Sequence, residues 1–443
     1  MFTKKQLVSL IIPLLVEQVF NAVIGLADTV MVAQVGETAM SGVALVDSIN
    51  TLLVNAFSAM ATGGTIITSQ YLGRRDVENG KTAAKQCVIV TTALATAICL
   101  LCLTFRREIL RLVFGAVEQS VMDNALIYFL ITAMTYPFVA LCAACGATFR
   151  ATRNSKLPMR VSIIMNIMNI AGNALLIFVF DMGAAGAALS TLISRIFAGA
   201  VMYIRLRDPK REVNVHNIFS SGVEWGMVKR ILAIGVPTGL ENSIFHIGKV
   251  LVQSIVSLLG TSSIAAASIA HNAAVVADMP GQAIGLAMMT VVGQCIGANK
   301  QDQAKRYAVG LTALSEGSIL CVGAVMLVFL RPIIGIFGVA QETVEIARGL
   351  VICTVVGLMT VWPLGFTLPH ALRAAGDVKF AMCISVISMW VFRVGLGYVL
   401  AIPVGVGALG IWLGMIMDWA FRATVFVFRY RSGRWLRHNM IKA

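Results

Sequence analysis

Two carboxylates lie inside the first apolar stretch of the chain, in the segment EQVFNAVIGLAD between Glu17 and Asp28. A spacing of eleven residues is about three helical turns, so a helix would place both acids on one face, roughly 16 Å apart along its axis. Apolar surroundings penalise the charged form of an acid, so such a group is retained where water or a cation reaches it. The pair therefore predicts a polar path along this helix, with Asp28 able to load and release a proton.

Three asparagines in a later apolar segment follow the spacing i, i+3, i+7, at Asn166, Asn169 and Asn173. A helix would align them in one polar stripe, and their amide oxygens are neutral ligands that could face Asp28. The same amides could instead join neighbouring helices through hydrogen bonds, as polar side chains in membranes commonly do. The spacing leaves both roles open.

The second half of the chain carries more ionisable groups than helix packing needs. We expect cavity or substrate roles for Glu17, Asn166, Glu241, His246, Lys249, His271 and Asp278. Glu241 and Lys249 would point about 80° apart around one helix, so they could share a cavity without touching. Lys249 could pair with Asp28, Glu17 or Asp278. For the two histidines, a hydrogen-bonded core position is the alternative to proton relay.

The elements that position these residues must be membrane helices. The sequence is 58% hydrophobic and 13% charged, with a mean hydropathy of +0.85, and this composition does not supply the polar surface of a water-soluble domain. Only helices and closed barrels satisfy the backbone inside a bilayer, and long unbroken apolar runs favour helices. We therefore predict an all-α integral membrane protein.

Twelve apolar segments are long enough to cross a bilayer. Their approximate ranges are 7–33, 38–70, 83–105, 124–149, 159–180, 184–204, 229–258, 263–296, 307–330, 347–371, 380–401 and 405–428. The first segment continues to about residue 33 and does not end at a small-residue cleavage site. It is therefore interpreted as transmembrane helix 1 rather than a cleaved signal.

Lysine and arginine are unevenly distributed among the connections between these segments. The two termini and the connections after even-numbered segments contain 26 of the 35, whereas the alternate connections contain 5. Because cytoplasmic loops carry the excess of basic residues, we expect a multi-pass protein of the inner (plasma) membrane with both termini in the cytoplasm. The net charge of +14 then indicates contact with anionic lipid headgroups and no nucleic acid.

The chain repeats itself at an offset of 224 residues. The matching pairs are Pro13 with Pro237, Glu17 with Glu241, Gly36 with Gly260, Gln70 with Gln294, and Gly73 with Gly297. Because each repeat holds six segments, an even number, we predict two six-helix bundles related by a pseudo-twofold axis along the membrane normal. The expected boundaries are an N-terminal lobe over 1–204, a cytoplasmic linker over 205–228, and a C-terminal lobe with a short tail over 229–443.

Five segments of the first repeat, all between residues 11 and 191, occur in an order that is typical of one protein family. They are IIPLLVEQVFNAVIGLADTVMVAQVG, SQYLGRRD, FRATRNSKLPM, NIAGNALLIF and GAAGAALST. Together with the twelve-segment duplication, they resemble the multidrug and toxic compound extrusion (MATE) transporters. The major facilitator superfamily also has six plus six segments, but LGRRD lacks the preceding aspartate and the spacing of that superfamily's loop signature.

The resemblance implies an antiporter that exchanges inward-moving H⁺ or Na⁺ for an outward-moving drug, commonly an organic cation. It implies a helix-1 hinge at Pro13 and a coupling-cation site formed by Asp28, Asn169, Asn173 and Thr191. Asn173 stands where several members have aspartate, so the site keeps its oxygen ligands with one fewer negative charge. Asp28 is then the expected proton carrier, or the metal ligand if the ion is Na⁺.

A flippase for lipid-linked sugars is the alternative function, because Lys249 and Arg393 would suit an anionic cargo, whereas the intramembrane acids favour the exporter. An enzyme is not expected, since the sequence has no HExxH motif and no convincing nucleophile and base pair. It also lacks a GxxxxGK(S/T) phosphate loop, so an ion gradient should drive transport. We expect a monomer whose partners are drug-like small molecules and membrane lipids, with no cofactor besides bound H⁺ or Na⁺.

Overall fold

The computed structural model describes residues 1–115, 118–216, 218, 222–437 and 440–441, without the side chains of residues 26–30, 33 and 37. Within these ranges all regular secondary structure is helical. Ten of the helical segments have the length and hydropathy needed to cross a membrane. The prediction of an all-α integral membrane protein is therefore confirmed.

The first of two compact units comprises residues 4–239. Its helices are α1 (Lys4–Ala33), α2 (Glu37–Gly73), α3 (Val77–Thr104), α4 (Arg106–Phe114), α5 (Gln119–Ala133), α6 (Tyr136–Ala151), α7 (Lys156–Asn173), α8 (Gly183–Leu206) and the first part of α9 (Trp225–Ser257). A π-helical segment, Ala174–Val179, continues α7. Pro13 lies inside α1, which continues through it.

The second unit comprises residues 1–3 and 240–443. After the later part of α9, its helices are α10 (Thr261–Gly297), α11 (Gln301–Val328), α12 (Leu330–Gly335), α13 (Gln341–Thr360), α14 (Leu368–Ala374), α15 (Val378–Ser388), α16 (Gly397–Ala401) and α17 (Ala408–Arg431). π-Helical segments at Pro363–Thr367 and Met389–Leu396 connect α13 to α14 and α15 to α16. A 3₁₀ turn follows at Arg434–Arg437.

The order of these elements corresponds to twelve spans. Besides the ten segments that qualify singly, α5 and α6 form an eleventh span, bent by 42°. The twelfth is α9, whose 33 residues extend about 50 Å and so exceed the roughly 30 Å of the hydrocarbon core. Its hydropathy is lowered by the ionisable residues Glu241, His246 and Lys249 in its interior.

Two predicted segments are interrupted rather than uniform. Within 347–371, α13 ends at Thr360 and the π-helical segment begins at Pro363. Within 124–149, the break between α5 and α6 falls just before Pro137. Proline lacks the N–H that α-helical hydrogen bonding uses and crowds the preceding turn, so it bends a helix without lowering its hydropathy. Apolar pattern alone therefore predicts each span but not its bend.

Left-handed backbone positions recur at the offset found in the sequence. Gly36 (φ 130°) precedes α2 and Gly260 (φ 94°) precedes α10, and the missing Cβ allows these angles. Two further pairs with positive φ are Arg75 with Asn299, and Asp181 with Gly405. Members of each pair lie 224 positions apart, so the sequence repeat is also a repeat of local backbone structure.

Helix α7 packs closely against α8. A Cβ added to Gly172 would lie 2.4 Å from Oγ of Ser190, so glycine allows the two helices to approach here. Ser190 Oγ in turn donates a hydrogen bond of 2.8 Å to the carbonyl oxygen of Asn169. This contact sets the register of α7 on α8, and with it the positions of Asn169 and Asn173.

Candidate functional site

A cavity of about 510 Å³, called here the N-terminal cavity, lies within the first unit. Its polar lining includes Asp47, Asn50, Tyr128, Asn173, Thr191 and Arg195. Gly25 of α1 also lines it, and Asp28 follows three positions later in the same helix. The side chain of Asp28 lies outside the described residues. The predicted ligands Asn173 and Thr191 are thus brought to one cavity, with α1 at its wall.

A chain of hydrogen bonds holds Asp47 in this cavity. The hydroxyl of Tyr128 donates to Asp47 Oδ1 at 3.1 Å, and Asn50 Nδ2 donates to the same oxygen at 3.2 Å. Tyr136 donates to Asn50 Oδ1 at 2.8 Å. These donors are neutral, so they orient the carboxylate without neutralising its charge. Sequence reasoning did not place Asp47 in the site, although an acid inside an apolar segment is the same signal that selected Asp28.

The predicted ligands on α7 and α8 contact each other. Asn169 Nδ2 donates to Thr191 Oγ1 at 3.1 Å, and the Thr191 hydroxyl donates to the carbonyl oxygen of Ala187 at 3.0 Å. Asn169, 6% exposed, is not among the residues that line the cavity, whereas Asn173 and Thr191 are. Asn169 therefore acts on the cavity through the orientation of Thr191.

Asn166 has a different role from its two neighbours in the stripe. Its amide Nδ2 donates to Asn21 Oδ1 of α1 at 2.9 Å, and Ser162 Oγ donates to the same oxygen at 3.2 Å. Asn166 is not part of the cavity lining. It joins α7 to α1 through an amide–amide hydrogen bond, which is the interhelical role that its residue type also allowed.

The two glutamates of the repeat face arginines rather than the cavities. Glu241 forms an ion pair of 2.7 Å with Arg373, and both side chains are largely buried. In the first unit, Glu17 interacts electrostatically with Arg150. Each pair joins the first long helix of its repeat to a helix that ends in the same Arg-Ala motif. Neither glutamate lines the N-terminal cavity or the cavity of about 360 Å³ in the second unit, and both connect helices by charge.

A second cavity, of about 360 Å³ and called here the C-terminal cavity, lies within the second unit. Its charged and polar lining includes Lys249, His271, Asp278, Gln282, Thr354 and Arg393. The structure thus brings together three of the residues predicted for the second half. His246 lies on α9, partly buried, and does not line this cavity.

Positive charge exceeds negative charge in the C-terminal cavity. Lys249 interacts electrostatically with both Arg393 and Asp278, and His271 with both cations. Asp278 accepts a hydrogen bond from Gln282, and neither cation forms an ion pair with a carboxylate in the described part of the chain. Arg393 interacts electrostatically with Asp418, which is paired with Arg422, so the cations around the cavity outnumber the carboxylates. Arg393 was named from the sequence only for the flippase alternative and not among the expected cavity residues, although a cation inside an apolar segment is the signal that selected Lys249.

Aromatic rings form much of the remaining wall. Trp362 stacks on Phe366 with ring centroids 5.1 Å apart, and Phe366 meets the edge of Trp419 at 6.1 Å. Phe245 lies beside the cations, 5.5 Å from Lys249 Nζ and 5.5 Å from the guanidinium carbon of Arg393. Contacts of this kind stabilise cations by cation–π attraction and leave their hydrogen-bond donors free for a ligand.

The two cavities occupy corresponding places in the repeat. Pairs of lining residues 224 positions apart are Gly25 and Lys249, Asp47 and His271, Thr191 and Met415, and Arg195 and Trp419. From the N-terminal to the C-terminal cavity, glycine is replaced by lysine, aspartate by histidine, threonine by methionine, and arginine by tryptophan. The duplication has therefore kept the position of the cavity and changed its chemistry.

Oxygen ligands are concentrated in the N-terminal cavity. Among the described residues, no group of three or more His, Cys, Asp or Glu side chains could hold a metal ion. The N-terminal cavity instead combines the carboxylate of Asp47 with amide and hydroxyl oxygens, including those of Asn173 and Thr191. Hard cations bind to oxygen ligands of these kinds, so this wall can bind a cation, and the C-terminal wall is less suited to one.

Similarity to known proteins covers nearly the whole chain. This chain is 26% identical to the uncharacterized transporter YisQ of Bacillus subtilis, over 98% of this chain and 95% of the relative. It is 27% identical to the probable multidrug resistance protein NorM of Thermotoga maritima, with 99% and 94% covered.

Solved MATE structures share the fold. One is an outward-facing multidrug resistance MATE transporter (TM-score 0.91, 18% identity, 97% of this chain and 95% of the other). Another is a MATE protein in a bent conformation (TM-score 0.89, 19% identity, 99% and 97%). The MatE family model matches residues 13–175 and again residues 237–399, which are the two repeats at their offset of 224. The chain therefore belongs to the MATE family of membrane transporters.

Proposed function

We propose that the protein is an antiporter, not an enzyme, that moves H⁺ or Na⁺ inward and exports organic, drug-like compounds by alternating access. The N-terminal half carries the coupling ion at Asp28, with Asn173 and Thr191 as oxygen ligands and Asn169 orienting Thr191. Asp47 contributes a second negative charge to the same cavity. Transport then requires that the ion reach Asp28 from alternate sides of the membrane.

One observation supports this proposal above the others. Gly25, one helical turn before Asp28 in α1, lines the cavity together with Asn173, Thr191 and Asp47. The lining at this turn of α1 supplies neutral oxygens and a carboxylate, which favour a bound cation by charge and by ligand type, and we assign Asp28 to the same site from its position in the helix. Binding or release of the ion changes the charge of the cavity, which is the differential interaction that two transport conformations need.

The test is efflux of a fluorescent dye from proteoliposomes that contain the purified full-length protein. A pH gradient and a Na⁺ gradient are imposed separately, so the experiment measures transport and identifies the coupling ion. We expect one gradient to drive efflux and Asp28→Asn to abolish it. Asp302→Asn is the matched control, because Asp302 is exposed near the start of α11 and its nearest cation, Lys305 Nζ, lies 4.0 Å away.

The result that contradicts the proposal is efflux by Asp28→Asn at the wild-type rate under the same gradient. Loss of protein from the membrane fraction would be a folding effect, so dye binding by the purified variant is measured alongside. Absence of any gradient-driven efflux by the wild-type protein would equally overturn the proposal.

The surroundings of the transporter follow from the same reading. We place it in the inner (plasma) membrane as a monomer, in contact with anionic lipids and with both termini in the cytoplasm. Accessibility of a single cysteine introduced at either terminus to an impermeant maleimide, in right-side-out and inverted vesicles, tests this orientation.

Flipping of a lipid-linked sugar is a second candidate, favoured by Lys249 and Arg393 in the C-terminal cavity. An anionic headgroup would pair with these cations. Movement of a fluorescent lipid-linked diphosphate sugar between leaflets of the same proteoliposomes, with no dye efflux under either gradient, would select this function over export.

A further inference from the structure

We infer that the C-terminal cavity binds the anionic group of its ligand: Lys249 and Arg393 pair with a carboxylate, while the aromatic wall stacks on a planar ring system. This inference refines the proposed function by assigning a substrate class, aromatic compounds that carry a carboxylate, in place of simple organic cations. Such compounds include zwitterions, whose amine could contact Asp278.

The charge arrangement is the first support. Lys249 and Arg393 come from different segments of the second unit, α9 and the π-helical segment Met389–Leu396, and both line one cavity. Like charges placed together are destabilising unless an anion lies between them. Asp278 supplies one negative charge, which leaves the equivalent of one cation to be compensated by a ligand.

Another arginine nearby is already compensated and sets the contrast. Arg422 forms an ion pair of 2.7 Å with Asp418 and donates to the carbonyl oxygen of Ser385 at 2.9 Å, fully inside the unit. Arg393 forms no ion pair of its own in the described residues; it interacts electrostatically with Asp418, which is already paired with Arg422, and it lines the cavity. The fold therefore distinguishes a structural arginine from one that is open to a ligand.

The aromatic wall is the second support. Phe245, Trp362, Phe366, Trp412 and Trp419 all line the cavity, and flat rings of this kind bind a planar ligand by stacking. The indole N–H of Trp412 donates a hydrogen bond of 2.6 Å to Thr354 Oγ1. The indole N–H of Trp419 is buried and has no acceptor in the described part of the chain, so this ring contributes to the wall by packing.

The repeat is the third support. At the matching positions of the N-terminal cavity, Lys249 is replaced by Gly25 and His271 by Asp47. A cavity that served only to balance internal charge would not need opposite chemistry at equivalent places in the two halves. The exchange separates a cavity rich in oxygen ligands, whose described charged groups are Asp47 and Arg195, from a basic and aromatic cavity suited to an aromatic carboxylate.

The experiment compares two dyes that differ at one group. Rhodamine 110 carries a free carboxylate, and rhodamine 123 is its methyl ester. Binding of each dye to the purified full-length protein is measured by fluorescence anisotropy. We expect the wild type to bind rhodamine 110 about tenfold more tightly, because hydrogen bonds to charged groups are the stronger ones.

Substitutions in the C-terminal cavity test which side chains produce the preference for rhodamine 110. Lys249→Gln and Arg393→Gln should each remove the preference for rhodamine 110 and leave the affinity for rhodamine 123 within about twofold, whereas Lys249→Arg should keep the preference. Lys229→Gln is the matched control, since Lys229 is an exposed lysine on the same helix. Retained binding of rhodamine 123 also shows that each variant is folded.

Equal binding of the two dyes by the wild type, or equal loss of both dyes in Lys249→Gln, would overturn the inference. Binding and transport separate the two proposals. A carboxylate preference without gradient-driven efflux supports the cavity assignment and contradicts the antiporter. Efflux of both dyes without any preference in binding supports the antiporter and contradicts the cavity assignment.

Discussion

The N-terminal and C-terminal cavities occupy equivalent places in a duplicated chain, but their walls differ in charge and in apolar character. The first is lined by one carboxylate and one arginine with amides and hydroxyls; the second is lined by Lys249, Arg393, a single carboxylate and five aromatic rings. A repeat preserves the helices because their packing determines stability. The lining residues are under less constraint from packing, so the two copies could acquire different ligands.

The two units also differ in the buried side chains of two corresponding helices, α17 and α8. In α17, Asp418 and Arg422 form a buried ion pair. The positions 224 residues earlier, in α8, are Ser194 and Ala198. At this place the first unit has a neutral contact, a hydrogen bond of 2.9 Å from Ser194 Oγ to the carbonyl oxygen of Thr191. The C-terminal unit therefore has a buried ion pair where the N-terminal unit has a hydrogen bond between neutral groups.

The largest expected effect tests this difference between the units. Asp418→Ala should lower the free energy of unfolding by about 3–5 kcal/mol, because it leaves the buried Arg422 without its partner. Ser194→Ala, at the equivalent position, should cost only about 1 kcal/mol. Thermal unfolding of both variants in detergent measures the difference. Similar losses of stability in the two variants would mean that the ion pair does not distinguish the halves.

A smaller effect is expected where α7 meets α8. Gly172→Ala forces the new methyl group towards Ser190, and overpacking of this kind costs about 1–3 kcal/mol. It should also weaken ion-driven dye efflux, since Asn169 and Thr191 lose their register. Gly310→Ala is the control, because Gly310 lies in α11 with open space at its Cβ. A neutral outcome at Gly172 would show that the contact can relax without disturbing the cavity.

The smallest of the three effects concerns the charge of the N-terminal cavity. Asp47→Asn keeps the size of the side chain and removes its charge, whose interaction with a cation bound in the same cavity is on the order of 1.4 kcal/mol. We expect the concentration of coupling ion needed for half-maximal efflux to rise about tenfold. His271→Asn, at the equivalent place in the second unit, should leave that concentration unchanged. Equal responses would remove the assignment of the ion to the first half.

The fold could be predicted from sequence because the hydrophobic composition and the internal repeat both determine it. Long apolar runs indicate spans, and pairs such as Glu17 and Glu241 reveal the duplication. The bend near Pro137 and the change of helix type at Pro363 were not predicted, because apolar residues continue through both. The α9 span was predicted, at 229–258, because apolar residues surround its charged ones.

The sites could be predicted only in part, because burial is a property of the folded unit. Asn166 and Asn173 look alike in sequence, yet Asn166 bonds Asn21 and Asn173 lines the cavity. Glu241 satisfies every sequence criterion for a cavity acid but pairs with Arg373. Which face of a helix meets a cavity depends on the neighbouring helices, and no single segment encodes them.

The most direct measurement compares two variants under the same ion gradient in proteoliposomes. Lys249→Gln should lower efflux of rhodamine 110 to the level of rhodamine 123 and leave efflux of rhodamine 123 unchanged, whereas Asp28→Asn should lose efflux of both dyes while still binding rhodamine 110. That result assigns the ion to the first half and the ligand's carboxylate to the second. If both variants lose transport and binding of both dyes, the ion and the carboxylate of the ligand are not bound in separate halves, which contradicts the central claim.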